Sequence, residues 1–189
     1  MANESEYAIR SGRLLSLRAQ PARWLDELAG GLSELPVCRQ MFAGSALWLR
    51  LGPDEWWSWC EGADDDAGTA QAAMQAIARA AGPAHHACVD LSDAYCALRV
   101  PAPAADLLSQ GCDLDFARLA ANFAGRTRLS AYTVVLAPSG AEPGAIGLWA
   151  DASLTQSLQA WLTRAGDLLR AGAGDASARG SPLGAGRTA

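Results

Sequence analysis

An α+β fold is what this chain predicts, built on a ferredoxin-like split βαβ core with extra strands and a C-terminal helix. Three observations carry that expectation. Period-two alternation of apolar residues, the mark of a strand, starts at Ser45. From Glu55 the segments run strand, helix, strand, strand, helix, strand, which is the split βαβ order. The clearest amphipathic helical stripe, Leu154, Leu158, Trp161, Leu162, Ala165 and Leu169, comes last. With 189 residues, 50% of them hydrophobic and 19% charged, the chain has material for one main core.

Residues 1–44 read as an N-terminal arm and a short helix. The first twenty are polar and mixed in charge, hence an extended arm. Pro21 suits a first helical position, and Trp24, Leu25, Leu28 and Leu32 follow at helical spacing until Gly30 and Gly31 weaken the end.

Residues 45–170 form the α+β domain. Leu47, Leu49 and Leu51 point to one strand face and Trp48 and Arg50 to the other. Gly52, Pro53 and Asp54 then turn the chain into a Trp-rich strand, Glu55 to Glu61, which predicts a hairpin. Thr69 is placed to cap a helix carrying Ala70, Ala73, Met74, Ile77 and Ala81, stopped by Gly82 and Pro83. Ala84 to Leu91 and Ala94 to Val100 read as a second hairpin turning at Ser92 and Asp93. Pro101 and Pro103 open a short helix through Leu107 and Leu108 that stops at Gly111. Thr127 to Leu136 is one strand, a turn covers Pro138 to Gly144, and Ala145 to Ala150 is the strand before the last helix. Residues 171–189 are Gly, Ala, Ser and Arg without periodicity, a composition that predicts a disordered tail.

The formal charge is −5, there is no lysine, and the fifteen arginines are scattered, so no basic surface suits nucleic acid. The N-terminus shows no apolar h-region, and nothing approaches the roughly 18 apolar residues of a membrane span. A cytoplasmic location is expected, without disulfides among Cys38, Cys60, Cys88, Cys96 and Cys112.

Candidate chemistry is sparse. His85 and His86 alternate to opposite strand faces, and His86 with Cys88 lacks two further ligands at metal-site spacing. No local motif gives a cysteine a base. Asp64, Asp65 and Asp66 lack the DxDxDG spacing of a calcium loop and sit where a helix N-terminus favours negative charge. No GxGxxG or GxxxxGK[ST] follows a strand. The expected catalytic, cofactor-binding and metal-ligating residues in this chain are therefore none. Tryptophan is the unusual feature. On the second strand Trp57 and Trp59 share one face and Trp56 the other, so a sheet covered by helices on one side only must turn one set outward. Trp56, Trp57 and Trp59 are the candidate interface residues, Trp56 first.

Three stretches resemble one family. ALWLRLGPDEWW, Ala46 to Trp57, is similar to the strand, LGPDEW turn and strand of the sarcosine oxidase gamma subunits. VDLSDAYCALRVPAPAADLLSQGCDLDF, Val89 to Phe116, resembles that family's D-[VL]-S-D segment, strand, short helix and GCPLDL-like ending. RTRLSAYTVVL and the closing LQAWL resemble its last strand and helix. The chain departs at Asp113, where Pro is usual, and at Asp151-Ala152-Ser153, where an Arg-Ser pair is expected.

The resemblance implies a fold similar to the folate-binding domain of the aminomethyltransferases. It implies a non-catalytic gamma subunit of a heterotetrameric sarcosine oxidase, which oxidatively demethylates sarcosine to glycine, with alpha, beta and delta subunits as partners. FAD, FMN, NAD, zinc and tetrahydrofolate are implied for that complex, and none for this chain. Two other readings stand beside it. One is a stand-alone tetrahydrofolate-binding aminomethyltransferase-like protein, which needs a buried carboxylate for the pterin and a catalytic Asp, with Asp90 and Asp93 as the nearest candidates. The other is an unrelated ferredoxin-like interaction module.

Overall fold

The computed structural model describes residues 7–62, 67–140 and 142–179. The strands are β1 (Ile9–Arg10), β2 (Gly12–Ala19), β3 (Arg39–Ala43), β4 (Ala46–Arg50), β5 (Glu55–Glu61), β6 (His86–Asp90), β7 (Tyr95–Val100), β8 (Gly125–Leu129), β9 (Tyr132–Pro138) and β10 (Ile146–Asp151). The helices are α1 (Ala67–Ala81), α2 (Ala104–Leu108) and α3 (Thr155–Arg179), with a 3-10 helix at Arg23–Glu27. The α+β class and the C-terminal helix are as the sequence predicts. The strand, helix, strand, strand, helix, strand run from Glu55 is present in order, and its strands are divided between two antiparallel sheets. Their orders are β1-β7-β10-β9-β8 and β3-β4-β5-β2-β6.

The two sheets pack face to face, and each carries helices on its outer side. Between them lie Leu14, Leu47, Leu49, Trp57 and Trp59 from one sheet against Ala97, Val135, Ala137 and Trp149 from the other. Outside the first sheet, α2 and α3 bury Leu107, Leu108, Leu158 and Leu162 on Leu98, Leu136 and Leu148. Outside the second, the segment from Leu25 to Leu35 and Ile77 of α1 cover Leu15, Leu17, Trp48 and Trp56. Covering both faces explains why β4, β5 and β9 are buried at successive positions instead of alternate ones.

Several expectations change. The expected N-terminal arm contains β2, which lies between β5 and β6 and pairs with both. Its Leu14, Leu15 and Leu17 are buried, because a strand inserted between two others buries apolar residues on both faces. The hairpin expected at Ser92 and Asp93 is a crossover: β6 pairs with β2, whereas β7 pairs with β10 in the other sheet. Ser92 drives that exit. Its backbone N–H and hydroxyl both donate to Asp90 Oδ1, at 2.9 and 2.6 Å, and its Oγ accepts from Leu14 N at 3.0 Å. The single strand expected from Thr127 to Leu136 is two, β8 and β9, folded back at Ser130, which adopts φ 55°. Thr69 lies inside α1, not at its cap. Helix α3 continues to Arg179, past Arg170 where disorder was expected to begin; residues 180–189 lie outside the described residues, as does the acidic triplet Asp64 to Asp66.

Local chemistry sets the helix starts. Asp151 accepts from Ser153 N at 2.8 Å, and the Thr155 hydroxyl donates to Ala152 O at 2.8 Å, which together close the entry to α3. In the 3-10 helix, Asp26 accepts from the following loop, from Ser33 N at 2.9 Å and Ser33 Oγ at 2.7 Å, and these bonds hold its carboxyl below the ordinary Asp range. A depressed pKa of this kind contributes stability above the ordinary Asp value, and that contribution fades as the pH falls through the lowered pKa.

Gly12 is required by a close approach. A Cβ there would sit 2.6 Å from the Trp59 ring and 2.6 Å from the Cys60 carbonyl oxygen, and a backbone oxygen in the next strand cannot swing aside. Gly12→Ala should lower the unfolding free energy by about 1–3 kcal/mol in urea titration, the usual cost of overpacking. Gly30→Ala, where nothing lies within 4 Å, should stay within about 0.5 kcal/mol.

Candidate functional site

The sequence candidates go mostly to the interior. Trp56, Trp57 and Trp59 are 0%, 1% and 8% exposed, so all three face the chain's own core and offer no surface to a partner. The premise of one bare sheet face fails because helices cover the outer side of each sheet and the other sheet covers the inner. His85 is exposed, while His86 sets Nδ1 2.9 Å from Ala84 O and its ring 6.0 Å from Trp24. Burial, reinforced by the Asp90 charge, pushes the Cys88 thiol up to about 11, and burial raises Cys60 as well. Neither forms a thiolate readily at neutral pH, so neither is an activated nucleophile. Among the described residues no group of three His, Cys, Asp or Glu side chains is placed to hold a metal ion.

The polar centre of the described residues is one that sequence reasoning missed. Glu55, its side chain 8% exposed, receives two guanidinium groups: Arg126 Nη2 at 2.9 Å and Arg18 Nη2 at 3.2 Å. Arg18 also reaches Asp54 at 3.4 Å. Because Glu55 starts β5 and Arg126 lies on β8, this pair ties the two sheets together at one end. The hydrogen bond to Glu55 is the largest influence on Arg126 and raises its pKa above the ordinary Arg value. Arg126 also lies 5.7 Å from the Trp57 ring, whose other neighbour is the Tyr95 ring, edge-on at 4.9 Å. The signal in the sequence was the acid of GPDEW, legible only as a turn residue until the fold brought Arg126 to it.

This centre does not fit a folate pterin. The carboxylate that such a ring requires is already committed to two arginines. Of the alternative catalytic candidates, Asp90 is taken up by Ser92 and by Arg13 at 3.6 Å, and Asp93 is exposed. A cavity of about 300 Å³ beside Arg126 is bounded by Tyr95, Thr133, Asp151 and Leu154. A larger groove, about 430 Å³, lies elsewhere, among Phe116, Leu119, Phe123, Pro138, Pro143 and Ile146, and its lining is mostly apolar. It brings together no set of acids, bases or nucleophiles.

A two-sheet α+β sandwich with helices on both outer sides is the fold class of the aminomethyltransferase-like structures. Two solved structures represent that class. The chain is similar to one from heterotetrameric sarcosine oxidase of Corynebacterium sp. U-96 in complex with pyrrole 2-carboxylate, at 26% identity and TM-score 0.67, over 87% of this chain and 86% of that one. It is also similar to the glycine cleavage system aminomethyltransferase T of Bartonella henselae, at 14% identity and TM-score 0.59. That second likeness, which shows the fold alone, spans 84% of this chain and 44% of the aminomethyltransferase. No protein-family model matches the chain, and no curated protein matches it in sequence.

Two measurements test the site. Glu55→Gln leaves Arg126 and Arg18 without their shared anion; since both guanidinium groups reach solvent, the loss should be about 1–2 kcal/mol, less than for a fully buried pair. Denaturant titration reads it. Alkylation followed by peptide mapping should find Cys88 about a hundredfold slower than an unperturbed thiol of pKa 9.0 at neutral pH, with its rate rising toward pH 11.

Proposed function

We propose that this chain is a non-catalytic gamma subunit of a heterotetrameric sarcosine oxidase, supporting the assembly of the flavin-bearing subunits. The observation that carries the reading is the reciprocal match to a chain of such an oxidase: 87% of one and 86% of the other superimpose at TM-score 0.67, so the two chains are also similar in length. The motifs GPDEW and GC-x-LD, in that order, support the same family. Sarcosine oxidation to glycine would then take place on the partner alpha and beta subunits. FAD, FMN, NAD, zinc and tetrahydrofolate would be cofactors of the complex, with zinc on the delta subunit.

The stand-alone folate enzyme is the weaker reading. The aminomethyltransferase is more than twice as long as the part this chain matches, and Glu55 is not free to hold a pterin. An unrelated interaction module leaves the reciprocal match unexplained. A cytoplasmic setting follows from the proposal; no helix among the described residues is long and apolar enough to cross a membrane.

Co-expression tests the proposal. A tagged copy of this chain, expressed with the alpha, beta and delta subunits of such an oxidase, should co-purify with flavin-bearing subunits, and omitting it should remove most sarcosine-dependent peroxide formation. The isolated chain should be colourless and inactive with sarcosine. Failure to retain any flavoprotein subunit overturns the proposal, and methyl transfer to tetrahydrofolate by the isolated chain would establish the enzyme instead.

A further inference from the structure

One end of the first sheet carries a row of polar side chains that the core does not use. Arg126 pairs with Val135, Val135 with Trp149 and Trp149 with Ala97, and these residues face the layer between the sheets. Two residues further along each strand, alternation returns side chains to the same face. The residues there are Arg128 paired with Thr133, and Asp151 paired with Tyr95. Because neighbouring strands lie about 4.8 Å apart, Tyr95, Asp151, Thr133 and Arg128 stand side by side in the order β7, β10, β9, β8. The cavity of about 300 Å³ opens against this row, with Arg126 one step deeper and with Ala131, Val135 and Leu154 as its apolar wall.

Donors and acceptors decide what this cavity can take. Glu55 accepts from Arg126 Nη2 at 2.9 Å and from Nη1 at 3.4 Å, which fixes the guanidinium and leaves its other N–H groups without an acceptor among the described residues. Tyr95 is close enough to Arg126 to contribute to its raised pKa. The Tyr95 and Thr133 hydroxyls make no hydrogen bond to another described residue. Asp151 uses only Oδ1, which accepts from the Ser153 N–H and hydroxyl, and its Oδ2 has no partner among the described residues. Those bonds hold its carboxyl below the ordinary Asp range, so it is charged at neutral pH.

The two sides of the cavity therefore differ in sign. A lone anion at Arg126 would meet the Asp151 charge and a lone cation at Asp151 would meet Arg126, whereas a ligand carrying both charges close together suits both. We propose that this cavity binds a small α-amino acid with an apolar side chain. The ligand carboxylate accepts from Arg126 and from the Tyr95 and Thr133 hydroxyls, and its ammonium donates to Asp151 Oδ2. Its side chain lies on Ala131 and covers Leu154, which is otherwise exposed. A volume of about 300 Å³ holds a molecule the size of leucine, and a charge-assisted contact at each end orients it. This inference does not rest on the oxidase reading, since it concerns binding by this chain alone.

Titration calorimetry of the full chain with L-leucine tests it, beside two probes that each lack one charge, 4-methylpentanoate and 3-methylbutylamine. L-Leucine should bind at one site with a dissociation constant of about 1 mM or below, and each probe about tenfold more weakly or worse. Asp151→Asn keeps a side chain able to cap Ser153 and removes the charge. It should cost L-leucine about tenfold and leave 4-methylpentanoate unchanged or tighter. Tyr95→Phe keeps the ring against Trp57, removes the hydroxyl and should weaken L-leucine several-fold. Unchanged thermal unfolding of both variants shows that the fold is kept. No binding of L-leucine at about 10 mM overturns the inference. So does 4-methylpentanoate bound as tightly as L-leucine, which would make the cavity an anion site only. Equal L-leucine affinity in the wild type and both variants would place the ligand elsewhere and overturn it as well.

Discussion

The layer between the two sheets is the constraint on which everything else depends. Trp57, Trp59 and Trp149 must share it, with Trp59 and Trp149 meeting edge-on at 6.0 Å. Rings of this size fill the roughly 10 Å gap between packed sheets and bury more apolar area than any aliphatic side chain. They also dictate what can lie around them: small residues, Ala97 and Ala137, face them from the other sheet, and Gly12 makes room for Trp59 on the neighbouring strand. The layer has a cost. Trp57 and Trp149 carry buried indole N–H groups without hydrogen-bond partners, each worth about 1–3 kcal/mol of lost solvation. Burial of the rings outweighs this, and the Arg126 contact on Trp57 offsets part of it.

From that layer the rest follows. Once the inner faces are joined, each sheet has one remaining face, and the two helical layers close it. The Glu55–Arg126 pair fastens the open end of the sandwich and consumes the only carboxylate-bearing side chain buried among the described residues. A fold shared with an aminomethyltransferase therefore carries no assembled acid, base, nucleophile or metal set in this chain's described residues.

The interior thiols are quiet for a physical reason: the clearest shift, at Cys88, moves away from reactivity because burial disfavours the thiolate. The acids held below their ordinary range, Asp26 and Asp151, owe it to local turns and a cap, where serine N–H and O–H groups donate to them.

Sequence alone determined the local elements whose cause is local. Period-two leucines made β4, the Gly52-Pro53-Asp54 turn made the β4–β5 hairpin, and the Leu158, Leu162, Ala165 stripe made α3. The α+β class was legible for the same reason, since helical and strand periods differ within a single turn of chain. Tertiary structure alone decided which strands are neighbours. Nothing in GRLLSLRA separates a frayed arm from a strand inserted between β5 and β6, because the partners that bury it lie some 40 and 70 residues away. The same limit hid the ownership of Trp56, Trp57 and Trp59. Alternation assigns them to two faces, but whether a face meets solvent, a partner or a second sheet depends on the other half of the chain.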